Sequence, residues 1–217
     1  MKRTKIVIVI LKQKTENFAP TLIEQVKKEF GKDACLILIA TLLSLRSRDS
    51  ATLEVCRKLF KVIRSPQEML KLSCEDLQFL IHSIGFYKNK SKTILNVSKV
   101  IIEKFDGKVP NDFDALIAIK GIGSKTANLV LAEAFDIPTI CVDVHVHRIS
   151  NRLGIIKTKT TAETEKALQK IISKKDWSNW NNLLVKWGQN ICTPISPFCS
   201  KCAIKQYCKQ VGVKKFR

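Results

Sequence analysis

The sequence predicts an all-α protein, on three observations. Apolar residues recur at helical spacing in about ten segments, most of them opened by Ser, Thr or Asp and several closed by Gly. The one strand-like stretch, residues 6–10, has no partner strand elsewhere in the pattern, so it reads as helix or irregular structure. The joints are short, with no tandem repeat and no Gly/Ser linker.

Taken in order, residues 21–30 are amphipathic and stop at Gly31. Residues 35–43 are nearly all apolar and read as a buried helix. Asp49 can cap residues 50–63. Ser73 and Asp76 approximate a capping box for residues 74–83, ended by Gly85. Residues 89–105 run to Gly107, and Asp112 opens a short helix to residue 119. Residues 124–135 are helical and stop before Pro138. Asp143 can cap residues 144–153, which Gly154 closes. Thr160 and Glu163 form a second capping box for residues 161–173, and Asp176 can cap residues 177–187. Any division into two domains must be compact, and a break near Pro138 is the best candidate.

Of 217 residues, 45% are apolar, enough for a real core. No apolar run approaches the roughly 20 residues of a membrane span. The run at residues 6–11 follows Lys2, Arg3 and Lys5 and faintly mimics a signal peptide. It is shorter than an h-region of about 7–15 residues, and no small-residue cleavage site follows, so the chain reads as soluble and intracellular. Lys and Arg number 38 against 19 Asp and Glu, a net charge of +19. After Asp176 there is no acidic residue, while six lysines and Arg217 follow. A polyanion is the usual reason to tolerate such a surface, which makes nucleic acid the leading partner. A lysine-rich proteome would leave the same mark.

Eight cysteines fall into two groups. Cys35, Cys56, Cys74 and Cys141 are scattered through apolar segments and read as small buried hydrophobes. Cys192, Cys199, Cys202 and Cys208 follow C-x6-C-x2-C-x5-C, so four thiols can converge on one centre. An intracellular chain disfavours disulfides. Tetrahedral thiolate sites suit both zinc and iron–sulfur. Only Cys199 and Cys202 form a CxxC knuckle, and the uneven outer spacing favours a loop wrapped around a cubane cluster, with zinc left open. Lys201 and Lys205 lie within that loop.

Lys120, Gly121, Ile122, Gly123 and Ser124 sit between two predicted helices. Two glycines permit a tight turn with exposed N–H groups, and a helix begins directly after them, which suits a phosphate. Ile122 would anchor the hairpin in the core. The spacing is neither a Walker loop nor, without a preceding strand, a dinucleotide fingerprint. Lys125, in the first turn of the following helix, is either a phosphate contact or a Schiff-base nucleophile. Asp143 is a helix cap whose carboxylate can also face a cleft. His145 and His147 alternate, which does not suit a two-histidine metal site on a helix.

In this order, the hairpin, Lys125, Asp143 and the four terminal cysteines resemble the endonuclease III family of helix-hairpin-helix DNA glycosylases. The resemblance runs from about Leu36 to Cys208 and rests on residues 121–128, residues 142–145 and the cysteine spacing. It implies two helical lobes with a DNA-binding cleft between them. A six-helix barrel ending in the helix-hairpin-helix would span residues 27–137; residues 1–26 and 138–217 would carry a [4Fe-4S] cluster on Cys192, Cys199, Cys202 and Cys208. It implies a bifunctional glycosylase and AP lyase acting on double-stranded damaged DNA, away from membranes, inside the cell, in the cytoplasm or nucleoid if the source is prokaryotic. A monomer is the simplest expectation, because a cleft enzyme on asymmetric damaged DNA gains nothing from two-fold symmetry. Oxidised pyrimidines would be excised through an imine on Lys125, with Asp143 assisting, and the strand nicked by β-elimination.

The resemblance also implies wedge loops. Arg46 aligns with a segment that fills the gap left by the flipped base; it can fill that gap, contact the opposite base, or simply hold a phosphate. Phe86 aligns with an aliphatic wedge; it can intercalate beside the lesion or belong to the core. Leu45, where a small residue is common, and Val144, where threonine is common, depart from the family pattern and bear on the choice of damaged base. Three rivals remain: a monofunctional mismatch glycosylase, which usually lacks the lysine; an oxoguanine glycosylase, which generally lacks the cluster; and a non-enzymatic DNA-binding module stapled by zinc.

Overall fold

The structure is a computed structural model that describes residues 2–217. Among them are twelve α-helices and no strand. In chain order these are α1 (Lys2–Thr15), α2 (Leu22–Phe30), α3 (Ala34–Ser44), α4 (Asp49–Leu59), α5 (Pro66–Met69) and α6 (Cys74–Ile81). There follow α7 (Tyr87–Phe105), α8 (Phe113–Ile117), α9 (Ser124–Phe135), α10 (Val144–Leu153), α11 (Thr161–Ile171) and α12 (Trp177–Asn190). Three 3-10 turns complete the set, at Lys174–Asp176, Cys199–Lys201 and Lys205–Tyr207. No described helix is long and apolar enough to cross a membrane.

The chain separates into two compact units. One is Leu22–Ile137; the other joins the segment up to Thr21 to Pro138–Arg217. The sequence-based boundary at residue 27 would cut α2, whose residues Leu22, Ile23 and Val26 are buried in the first unit's core.

In Leu22–Ile137 the centre is α3. Every residue from Cys35 through Leu43 is buried, as its unbroken apolar run requires. It packs against α2, α4, α7 and α9. Each buried Leu or Ile there stabilises the fold by about 1.5–3 kcal/mol relative to exposure. Asp33 caps α3 by accepting from the Leu36 N–H. Ser73 and Asp76 make the full reciprocal capping box on α6, and Asp112 caps α8. Asp49 is not a cap. Arg48 occupies that position without a side-chain bond, and Asp49 instead lies in the first turn of α4, where its charge suits the helix dipole.

In the second unit α12 packs on α1 and α10. The β-branched run at residues 6–10 is helical, within α1. Val7, Ile8 and Leu11 bury on one face, so tertiary packing overrides strand propensity. Asp143 caps α10 and Gly154 closes it, at φ +67°. Thr160 caps α11 by accepting from the Glu163 N–H. The Glu163 carboxylate in turn accepts from the Lys159 N–H at 2.8 Å and lies against the Thr160 N–H and hydroxyl, which together lower its pKa. Asp176 ends a 3-10 turn and makes no cap bond to α12.

Candidate functional site

The hairpin joins α8 to α9. Ile119 and Ile122 are buried, and the Ile122 N–H donates to the Ile119 carbonyl at 3.0 Å, closing the turn. From α7, Asn96 Nδ2 donates to the Lys120 carbonyl at 3.2 Å. Gly121 sits at φ +108°, and a Cβ there would lie 2.5 Å from Thr93 Cγ2. This position requires glycine on both counts. Gly123 has an ordinary extended conformation, and a Cβ there would meet nothing within 4 Å. The fold does not demand the second glycine. It is the N-cap of α9 and carries no side chain to cover the first amides of the helix, which is the geometry that accepts an anion. Lys120, Gly121, Gly123, Ser124 and Lys125 are all exposed, so the hairpin presents a cationic, amide-rich tip.

Asp143 is half-buried, in the other unit. Its Oδ1 accepts from the His145 N–H at 2.9 Å and the Val146 N–H at 2.8 Å. The cap is real, and one carboxylate oxygen makes both bonds. On the same helix, Arg148 Nη2 lies 3.1 Å from His145 Nδ1 and donates to the Cys192 carbonyl at 2.9 Å. Burial lowers the Arg148 pKa from its usual value, opposed by nearby Cys192 and Asp143. His147 Nδ1 instead faces Thr164 Oγ1 at 2.7 Å, so the two histidines serve different contacts.

The α3–α4 and α6–α7 loops lie side by side within Leu22–Ile137. Arg46 has φ +56° and Phe86 φ +59°, a left-handed conformation uncommon outside glycine. The Arg46 guanidinium lies over the Phe86 ring, 5.1 Å from its centroid. Phe86 is 56% exposed and so is not a core residue. Leu45 is half-buried and Val144 is exposed. Sequence reasoning missed Lys90. Its side chain is buried, and Nζ donates to the Leu43 carbonyl and to Ser47 Oγ, each at 2.7 Å. Burial pushes this ammonium down to about 8.

Cys192, Cys199, Cys202 and Cys208 line one apolar cavity together with Trp187 and Ile204. None of the described cysteines is in a disulfide. Arg152 holds the loop's start, with Nη1 at 3.4 Å from Cys192 Sγ and 2.7 Å from the Thr193 carbonyl. The Gln210 N–H donates to Cys208 Sγ at 3.3 Å. Burial pushes the Cys202 thiol up to about 11 and raises Cys199 and Cys208, and the neighbouring Cys192 adds to each. Cys199 is buried and Cys192, Cys202 and Cys208 are half-buried; a positively charged group held among them would offset the resistance of Cys199, Cys202 and Cys208 to ionisation. The buried Trp187 indole N–H is directed at the Cys202 sulfur, where it favours the thiolate against the effect of burial. Four sulfur donors around one apolar cavity, with an indole N–H directed at one of them, fit an iron–sulfur group. Among the described residues, no three His, Cys, Asp or Glu side chains are gathered as a site for a metal ion. The other cysteines divide: Cys35, Cys56 and Cys141 are buried, the first two pushed up to about 12 by burial, while Cys74 is only half-buried.

Residues 39–174 match the family described as HhH-GPD superfamily base excision DNA repair protein. The chain is 42% identical over 197 residues to endonuclease III of Thermotoga maritima, covering 87% of this chain and 92% of the relative. It is 40% identical to endonuclease III of Bacillus subtilis, covering 80% of each. Among solved structures it is similar to a non-covalent endonuclease III–DNA complex, with TM-score 0.86 and 32% identity over 96% of this chain and 95% of that one. It is also similar to a trapped endonuclease III–DNA covalent intermediate, with TM-score 0.78 and 34% identity over 87% and 92%.

Proposed function

The chain belongs to the endonuclease III family of HhH-GPD base excision repair proteins, bifunctional DNA glycosylases and AP lyases, and from that premise we propose the residues that do this work here. Lys125 is the nucleophile. The observation that carries this is its place: exposed, in the first turn of α9, one residue past a glycine hairpin built to receive phosphate. The capture of a relative covalently on DNA supports the same reading.

The substrate is duplex DNA carrying an oxidised pyrimidine, acted on inside the cell. The damaged nucleotide leaves the stack, because its sugar carbon is unreachable within it. Amides of Gly121 to Ser124 and the Lys120 side chain hold the phosphate backbone without reading sequence. Arg46 and Phe86 occupy the gap left in the duplex. The neutral amine of Lys125 forms a bond to C1′ as the glycosidic bond breaks; the base departs with that electron pair and takes up a proton. Sugar-ring opening gives an iminium on Nζ. It acidifies the C2′ proton, whose loss expels the 3′ phosphate and cuts the strand. The Asp143 oxygens stabilise positive charge developing on the sugar and relay protons.

Cys192, Cys199, Cys202 and Cys208 would hold a [4Fe-4S] cluster. When bound it supplies a rigid cross-link for the basic loop that carries Lys201 and Lys205, positioning those charges for phosphate. The test of the whole reading is product analysis on a duplex with one thymine glycol. Free base together with a cut strand ending in an unsaturated aldehyde supports it. Free base with an intact abasic strand would mean a monofunctional enzyme.

A further inference from the structure

Two loops that carry proposed gap-filling residues are joined from beneath by one buried lysine. Lys90 lies in the first turn of α7, four residues after Phe86. Its main-chain N–H donates to the Phe86 carbonyl at 3.0 Å, so it is part of the turn that holds Phe86 in its left-handed conformation. Its amine runs the other way. It donates to Leu43 O, near the C-terminus of α3, and to Ser47 Oγ, one residue past Arg46. A cation there satisfies a terminal carbonyl and complements the negative end of the α3 dipole.

The contact between the loops is tight. A Cβ on Gly85 would lie 3.4 Å from the Arg46 carbonyl. Lys90 also lines a cavity of about 220 Å³ with Arg46, Phe86 and the hairpin's Gly121, so its amine sits where these segments meet. A buried ammonium costs several kcal/mol unless its protons are accepted, so a surface loop gains nothing from one by default. Leucine or methionine would fill the same space at lower cost. Bonded to one loop and rooted in the other, this lysine links the two mechanically.

We propose that Lys90 is a positioning residue that locks the Arg46 and Phe86 loops into one rigid wedge, so that both side chains enter the duplex together when the damaged nucleotide flips out. It touches neither substrate nor the reacting atoms, and acts only through Arg46 and Phe86. The inference rests on the gap-filling reading of those two residues. Without the lock, each left-handed loop can relax separately. The wedge then loses its preorganisation, and the cost falls on flipping.

The test is a double-mutant cycle on full-length protein. Single-turnover base release and the fluorescence rise of 2-aminopurine beside a thymine glycol are both followed. Lys90→Met keeps the bulk of the side chain and removes the amine. Ser47→Ala removes only one acceptor and serves if Lys90→Met fails to fold, as judged by its thermal transition. In the native background either variant should lower the flipping amplitude and slow base release, by about tenfold for Lys90→Met, which corresponds to roughly 1.4 kcal/mol. Combined with Arg46→Ala and Phe86→Ala, it should cost less than about twofold more, because its means of action is already gone. A folded Lys90→Met protein with native flipping would overturn the inference while leaving gap-filling intact. An equal loss in both backgrounds would overturn it as well, assigning Lys90 to general stability. If Arg46→Ala and Phe86→Ala are themselves without effect, the gap-filling reading fails and takes this inference with it.

Discussion

Arg152 Nη1 approaches Cys192 Sγ at 3.4 Å while the same guanidinium binds the Thr193 and Pro194 carbonyls at 2.7 and 2.6 Å. One side chain thus fixes both the first thiol of the loop and the main chain that leads away from it. Charge-assisted bonds of this kind contribute about 1.5–3 kcal/mol each when partly buried. Arg152→Met should therefore lower the iron content of purified protein and hasten bleaching of its visible absorbance by ferricyanide. Cys199→Ser should remove that absorbance and reduce solubility or DNA affinity. Native iron content in both variants would show that the loop does not hold the group through these residues.

Asp143 allows its cap to be separated from its chemistry. Asparagine caps as well as aspartate, whereas alanine does not. Asp143→Asn should melt within a few tenths of a kcal/mol of the native protein, and Asp143→Ala about 1 kcal/mol lower. Base release by Asp143→Asn should nevertheless fall by about 100-fold, the scale on which a general acid–base group acts. A native rate would reduce Asp143 to a cap.

The two hairpin glycines should behave differently. Gly121→Ala forces a Cβ to 2.5 Å from Thr93 at φ +108°, which should lower stability by more than about 1 kcal/mol. Gly123→Ala meets nothing, and the gain from a stiffer unfolded chain offsets alanine's poorer capping at this N-cap, so its thermal midpoint should change little. Its affinity for DNA should still drop, because the added methyl stands where a phosphate approaches the α9 amides. Equilibrium binding at fixed salt, alongside a melt, reads both effects. Unchanged affinity in Gly123→Ala would move the phosphate site off the hairpin.

Much of this molecule was legible in local chemistry. Ser73 with Asp76, Asp112, Asp143 and Gly154 mark helix ends within a few residues of themselves, so sequence alone places them. The helical state of residues 6–10 was not legible as a definite assignment. Its β-branched run suits either state, and burial of Val7, Ile8 and Leu11 decides it. Asp49 and Asp176 look like caps, yet Asp49 falls one residue inside α4 and Asp176 closes a 3-10 turn without a cap bond to α12. Lys90 was invisible for a different reason. Its chief partner is a main-chain carbonyl 47 residues away, which no residue type advertises. The four cysteines stand out by their spacing, and the fold gathers them around one cavity; local sequence leaves Lys125 between phosphate contact and nucleophile, and only the family resemblance separates the two.

The central claim is that Lys125 forms an imine with the sugar. Borohydride trapping on a thymine glycol duplex tests it most directly, with native protein and Lys125→Ala side by side. The expected result is a covalent protein–DNA adduct from the native chain, none from Lys125→Ala, and similar binding of damaged DNA by both. An adduct of equal yield from Lys125→Ala, or free base with no adduct from the native protein, would contradict it.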